Sequence, residues 1–197
     1  AGRACHETSQ YLAAGVTWGI GTAGMLWAVR AMRNRLLQCA LALLLLVGQA
    51  WTAAAASIDV SVEIPDIDIA EYHRPYVAVW LENDARQPVA HLALWLEQEK
   101  WHRDLRAWWR RGGSALRLPV DGVSGATRRP GHYRVTTTLE LEQGSRYVLN
   151  VEAVREVGGR ELLRIPFVWR GATFNGSAEG VDELGAVTLI VKEEPTP

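Results

Sequence analysis

The sequence predicts a mainly β protein: an immunoglobulin-like β-sandwich of about seven short strands with one inserted helix, preceded by a signal peptide. Three observations predict it. Apolar and polar residues alternate with period two in several runs, turn residues punctuate those runs, and one fourteen-residue stretch switches to helical period.

The front of the chain is a different material from the rest. Met32 is followed by Arg33-Asn34-Arg35, then by the uncharged run from Leu36 to Ala56, which ends in four alanines. A basic start, an apolar middle and a small-residue exit are the parts of a secretory signal, so residues 32–56 read as a signal peptide cleaved after Ala56 and the remainder as periplasmic. An uncleaved anchor is the alternative, since the run has about the length needed to cross a bilayer. Residues 1–31 read as a start placed too far upstream, with a glycine-punctuated membrane segment as the alternative. Cys5 and Cys39 both fall before Ser57, which leaves residues 57–194, the expected soluble domain, without thiol chemistry.

Four of the 21 Lys and Arg and one of the 22 Asp and Glu precede Ser57, leaving 17 against 21 and a net charge near −4. An acidic domain of that kind argues against nucleic acid as a partner.

The elements follow in order. Ile58, Val60, Val62 and Ile64 alternate with polar residues and mark a half-exposed strand that Pro65 ends. Tyr76–Leu81 is continuously apolar, as in a strand buried on both faces, and Leu92–Leu96 is its expected hairpin partner. In Gln98–Arg111, Trp101, Leu105, Trp108 and Trp109 share one helical face opposite Lys100, Arg103, Arg106, Arg110 and Arg111. Alternation returns at Tyr133–Leu141. Arg146–Val157 and Glu161–Trp169 flank Gly158-Gly159, where glycine's tolerance of positive φ suits a hairpin turn. Gly185–Lys192 closes the series, and residues 195–197 form a disordered tail.

Chemistry concentrates in Asp121-Gly122-Val123-Ser124-Gly125-Ala126-Thr127. The constrained positions Asp121, Ser124, Gly125, Ala126 and Thr127 resemble the flavinylation motif of FMN-binding domains, such as those of the sodium-pumping NADH:quinone reductase and the Rnf complex. The resemblance implies Thr127 as acceptor for covalently attached FMN, with the flavin transferase ApbE as the modifying partner. Small residues before the acceptor allow close approach of an enzyme. Arg128 and Arg129 stand ready to neutralise a phosphate, and Trp108 or Trp109 to stack on the flavin ring. Eight basic and two acidic residues lie between Lys100 and Arg129, the most basic stretch of an acidic domain. Ser-Gly-Ala-Thr followed by Arg-Arg-Pro-Gly is also ordinary turn chemistry.

Arg74–Trp80, Leu92–Trp95, Lys100–Arg106 with Trp108-Trp109, Asp121–Gly131 and Val151–Gly159 together resemble a family of predicted periplasmic proteins whose genes lie beside PepSY-domain membrane proteins and ApbE. The resemblance spans about Ser57 to Val191. It implies an extracytosolic electron-transfer role, with a PepSY-domain protein as membrane donor in a reductive or iron-acquisition system. The competing reading is a cofactor-free immunoglobulin-like binding module, similar in architecture to the sandwich of flagellar hook-cap proteins, with Asp121–Gly131 a buried or tightly hydrogen-bonded loop and Thr127 out of reach of a transferase.

Other signals are weaker. His73, His91, His102 and His132 lack ligand spacing, so no metal site is expected, and Ser124 has no Gly-x-Ser-x-Gly context. Glu140/Glu142 and Glu193/Glu194 read as solvated surface acids. No catalytic acid, base or nucleophile stands out, and a carrier or binding role is expected over catalysis.

Overall fold

The computed structural model of the chain describes residues 53–96 and 98–194, within the unit Trp51–Pro197. Most of the expected signal peptide, all of residues 1–31 and the expected tail lie outside the described residues.

Among the described residues, nine strands form two facing sheets, as a β-sandwich requires: β1 (Ala53–Ile64), β2 (Tyr76–Asn83), β3 (Pro88–Trp95), β4 (Ser124–Gly125), β5 (Gly131–Glu142), β6 (Arg146–Val154), β7 (Arg160–Val168), β8 (Phe174–Glu179) and β9 (Ala186–Glu193). One sheet has the order β5-β1-β9-β8 and the other β4-β3-β2-β6-β7. All pairings are antiparallel except β3 with β4.

The alternation in β1 sends Ile58, Val60 and Val62 inward, against Val77, Val79 and Leu81 of β2, Leu149 and Val151 of β6, and Val187, Leu189 and Val191 of β9. β1 starts earlier than its apolar alternation suggests. Ala53–Ala56 pair with Glu142–Leu139 of β5, and Ala56 is fully buried. Any cut after Ala56 therefore leaves Ser57–Ile64 to hold the pairing with Thr138–Gly131.

The uninterrupted apolar run of β2 has a second cause on its other face. Tyr76, Ala78 and Trp80 pack under a separate cluster containing Leu105, Ala107 and Trp108. This cluster is the expected helix, but broken. Glu99–Asp104 is a 3₁₀ segment, Leu105 turns out of helical geometry at φ −72° and ψ 70°, and α1 spans Arg106–Arg110 only.

The break has a long-range cause. Glu152 on β6, fully buried, accepts the backbone N–H of Ala107 at 3.0 Å and of Trp108 at 2.8 Å. A carboxylate on otherwise unpaired first-turn amides is a strong helix start, because it satisfies those donors and complements the positive helix end. Arg160 Nε of β7 donates to the same carboxylate at 2.6 Å and balances its charge.

The β6–β7 turn also differs in detail from expectation. Arg155 N–H donates to Gly159 O and Gly158 N–H to Arg155 O, but the left-handed residue is Val157, at φ 57°. A β-branched residue seldom adopts that conformation. Glu183 of the β8–β9 loop stabilises the turn from outside. It receives Arg155 Nε at 2.8 Å, Arg155 Nη2 at 3.1 Å and the Gly159 N–H at 2.6 Å.

Candidate functional site

The Asp121–Thr127 segment begins as a closed turn. Gly122 holds φ 73°, Val123 and Ser124 donate their N–H groups to Val120 O, and Ser124 Oγ accepts the N–H of Val120 at 3.0 Å. The φ at position 122 explains that glycine. The chain then runs as β4 beside β3, with the N–H groups of Leu94 and Leu96 donating to Val123 O and Gly125 O at 2.8 Å each. Asp121 and Ala126 are exposed.

Gly125 is different from Gly122. It holds no left-handed φ, and a Cβ there would meet Trp95 Cδ1 at 3.7 Å and Arg128 Nη2 at 3.9 Å, which is ordinary contact. Neither backbone nor packing demands a glycine at that position.

Thr127 is buried, at 8% exposure. It lines a polar cleft of about 370 Å³ with Tyr72, His73, Arg74, Tyr76 and Glu156. These residues come from the segment before β2, the start of β2 and the β6–β7 turn. Glu156 Oε2 accepts the Tyr76 hydroxyl at 3.5 Å and lies 3.9 Å from His73 Nδ1. The other ring nitrogen of His73, Nε2, is 3.0 Å from Glu71 Oε1.

Tyr72 is the unusual member. Its hydroxyl is buried and has no hydrogen-bond partner among the described residues. Burial pushes its pKa above the ordinary phenol value, against the pull of Arg155 and Arg74, so the group is a protonated donor at neutral pH. Native interiors seldom leave such a group without an acceptor.

A second groove of about 480 Å³ adjoins the cleft and shares Tyr76 and Glu156 with it. Tyr76 and Trp101 form one wall, their rings 6.1 Å apart and 19° from parallel. Asp104, Arg106 and the β6–β7 turn with its flanking strand ends supply the rest.

The residues singled out in the sequence divide between these surfaces. Thr127 reaches the cleft; Arg128 and Arg129 do not line it. The Arg128 guanidinium lies 5.5 Å from the ring centres of both Trp95 and Tyr133, over a separate cavity of about 370 Å³ that Ser124 and Gly125 also line. Arg129 is exposed, and its carbonyl accepts the Tyr133 hydroxyl. The cationic neighbours of Thr127 are instead Arg74 and, when protonated, His73.

Trp108, expected to offer a face to a flavin ring, is wholly buried and donates Nε1–H to His91 Nδ1 at 3.0 Å. Its faces are used in packing, and burial holds His91 below its ordinary pKa. Trp109 is half-buried against Trp108 and His102, with the Arg103 guanidinium 5.9 Å from its ring centre, and lines neither the cleft nor the groove. The tryptophan beside the groove is Trp101, with Lys100 Nζ 4.6 Å from its ring centre. The sequence placed Trp101, Leu105 and Trp108 on one face without distinguishing its centre from its rim. Tyr72 carried no sequence signal at all.

Among the described residues, no helix is long and apolar enough to cross a membrane. No curated protein and no solved structure matches this chain. One family model does, described as predicted periplasmic protein (DUF2271), over residues 57–186, which is β1 from Ser57 to the first residue of β9. That span takes in the whole five-stranded sheet, α1, the Thr127 cleft and the adjoining groove, and the chain belongs to this family of predicted periplasmic proteins.

Proposed function

We propose that this domain is a periplasmic electron carrier bearing FMN joined through its phosphate to Thr127. The carrying observation is the motif's acceptor hydroxyl on a polar cleft that opens beside an aromatic-walled groove. The residues present fit the group. Each cavity falls within the ~300–1,000 Å³ usual for small-molecule sites. Arg74 offers charge to a phosphate, and Tyr76 and Trp101 offer apolar surface to a ring.

In the attachment step, the Thr127 hydroxyl oxygen bonds to the flavin-side phosphorus of FAD. The pyrophosphate bond breaks, AMP leaves, and the hydroxyl proton passes to solvent. A bound flavin supplies reversible acceptance of electrons. The chain's own part is to hold the attached group in that groove, whose lining brings Arg106 together with Asp104 and Glu156, and with Arg155 and Arg160 already paired to Glu183 and Glu152. A PepSY-domain membrane protein is the proposed donor, in a reductive or iron-acquisition system.

Gly125 supports this reading, because the fold leaves room for a side chain that the sequence omits. Gly125→Ala therefore separates recognition from folding: stability stays level or rises by about 0.4–1 kcal/mol, while modification by the transferase falls. The deciding experiment is the intact mass of the exported protein co-expressed with flavin transferase, beside Thr127→Ala. A gain of one FMN in the first and none in the second supports the proposal. Bare mass in both, with a known FMN-binding domain modified in parallel, rejects it.

A second reading, the cofactor-free binding module, is favoured by one observation. Thr127 is 8% exposed, and its motif is hydrogen-bonded into a sheet edge, so a transferase needs the cleft to open. In either case the leader is proposed to be removed after Ala56, and the N-terminal sequence of the exported protein tests this.

A further inference from the structure

The cleft contains a donor that the protein itself leaves unused. Tyr72 Oη is buried with no partner among the described residues, and Tyr72 is one of the residues that line the same cavity as Thr127 and Arg74. We propose that the Tyr72 hydroxyl and the Arg74 guanidinium form a phosphate seat that closes on the phosphoester of Thr127. The proposal rests on the flavin reading above and assigns residues that the motif does not contain.

The chemistry is matched on each side. A phosphate diester carries one negative charge and two non-bridging oxygens, both acceptors. A phenol supplies one O–H donor, and a guanidinium supplies a planar fork suited to two oxygens. Burial keeps the phenol protonated, and so a donor, through the neutral range. The third wall is acidic: Glu156 lines the cleft, with the Tyr76 hydroxyl 3.5 Å and His73 Nδ1 3.9 Å from its Oε2. That carboxylate opposes a dianion more than a monoanion, so the seat favours a diester over free phosphate. Arg128 and Arg129, adjacent in sequence to the acceptor, line other surfaces, which leaves Arg74 to supply the fixed charge.

The same geometry sets the control. An unpartnered buried hydroxyl does not stabilise the ligand-free protein, so bare Tyr72→Phe should melt at or above the temperature of bare wild type. A lower melting temperature means that the hydroxyl has a protein partner and overturns the seat. Intact mass after co-expression with the transferase is read first and decides the flavin reading alone. In modified protein, the ³¹P resonance of the attached phosphate is then compared among wild type, Tyr72→Phe and Arg74→Gln. A shift in both variants is expected, and coincident resonances overturn the seat while leaving the flavin in place.

If wild type gains no mass while a known FMN-binding domain is modified in parallel, the flavin reading falls. The seat is then tested with a phosphate diester, dimethyl phosphate, on bare protein, followed by the amide resonance of Thr127. Saturable binding that weakens about tenfold in Tyr72→Phe supports it, as loss of one hydrogen bond to a charged ligand predicts. Titrations equal in wild type and variant, or without saturation, overturn it.

Discussion

Replacing Glu152 with alanine removes one buried carboxylate and strands three donors: the amides of Ala107 and Trp108 at 3.0 and 2.8 Å, and Arg160 Nε at 2.6 Å. Hydrogen bonds to a charged group contribute ~1.5–3 kcal/mol each, but their sum overstates the loss, because burying the carboxylate itself costs several kcal/mol. Breaking a buried pair by removing one partner usually costs ~3–5 kcal/mol. The Arg160 side chain is 35% exposed and regains water, so the lower end applies and about 3 kcal/mol is expected. With a urea slope of about 2 kcal/mol/M, the unfolding midpoint should fall by about 1.5 M. Glu152→Leu combined with Arg160→Leu should recover part of the loss, since no charge is then left unpaired. A loss below about 1 kcal/mol for the alanine variant would refute the claim that this carboxylate fixes where α1 begins.

Glu183→Ala should also cost about 3 kcal/mol, because it leaves Arg155 buried without its bidentate partner, and protease should then cut the β6–β7 turn faster than in wild type. At Gly113 a Cβ would stand 2.5 Å from Trp108 Cδ2, so Gly113→Ala should lower stability by about 1–3 kcal/mol and shift tryptophan fluorescence. Stability should fall on the acid side through two groups. Burial raises Glu161, but the N–H groups of Val181, Leu184, Glu183 and Asp182 outweigh it and hold the carboxylate below 4.5. Its stabilisation is present above that value and disappears as pH falls through the lower folded one, and Glu161→Gln should flatten that limb of a thermal-melt profile. Burial holds His91 below 6.5, so the unfolded chain takes up its proton first. Stability is complete above that value and drops as pH falls past it, while His91→Phe should remove this step.

Features written into neighbouring residues were legible, and features made by distant ones were not. The β2–β3 and β6–β7 hairpins follow from apolar-rich runs separated by turn residues, and β1 and β5 from local alternation. β8 reads Phe-Asn-Gly-Ser-Ala-Glu and has almost no apolar pattern; its strand character comes from pairing with β9. β4 is two residues long and exists because β3 receives Val123 O and Gly125 O. The tryptophan-rich face was readable at Trp101, Leu105 and Trp108, yet its break at Leu105 is dictated by Glu152, forty-five positions from the Ala107 amide it caps.

The candidate site divides along the same line. Thr127 announces itself through Ser124, Gly125 and Ala126, which are contiguous with it. Its neighbours in space are Tyr72 and Arg74, ahead of β2, and Glu156, in the turn after β6, and no short window of sequence contains them together. Proximity in sequence even misleads, since Arg128 follows the acceptor directly and faces Trp95 and Tyr133 instead. Under the proposed attachment, a phosphate on Thr127 would meet the charge of Arg74, which the sheet topology brings to the same cleft. Arg74→Gln should consequently disturb that phosphate more than Arg128→Gln does, although Arg128 is the closer residue along the chain.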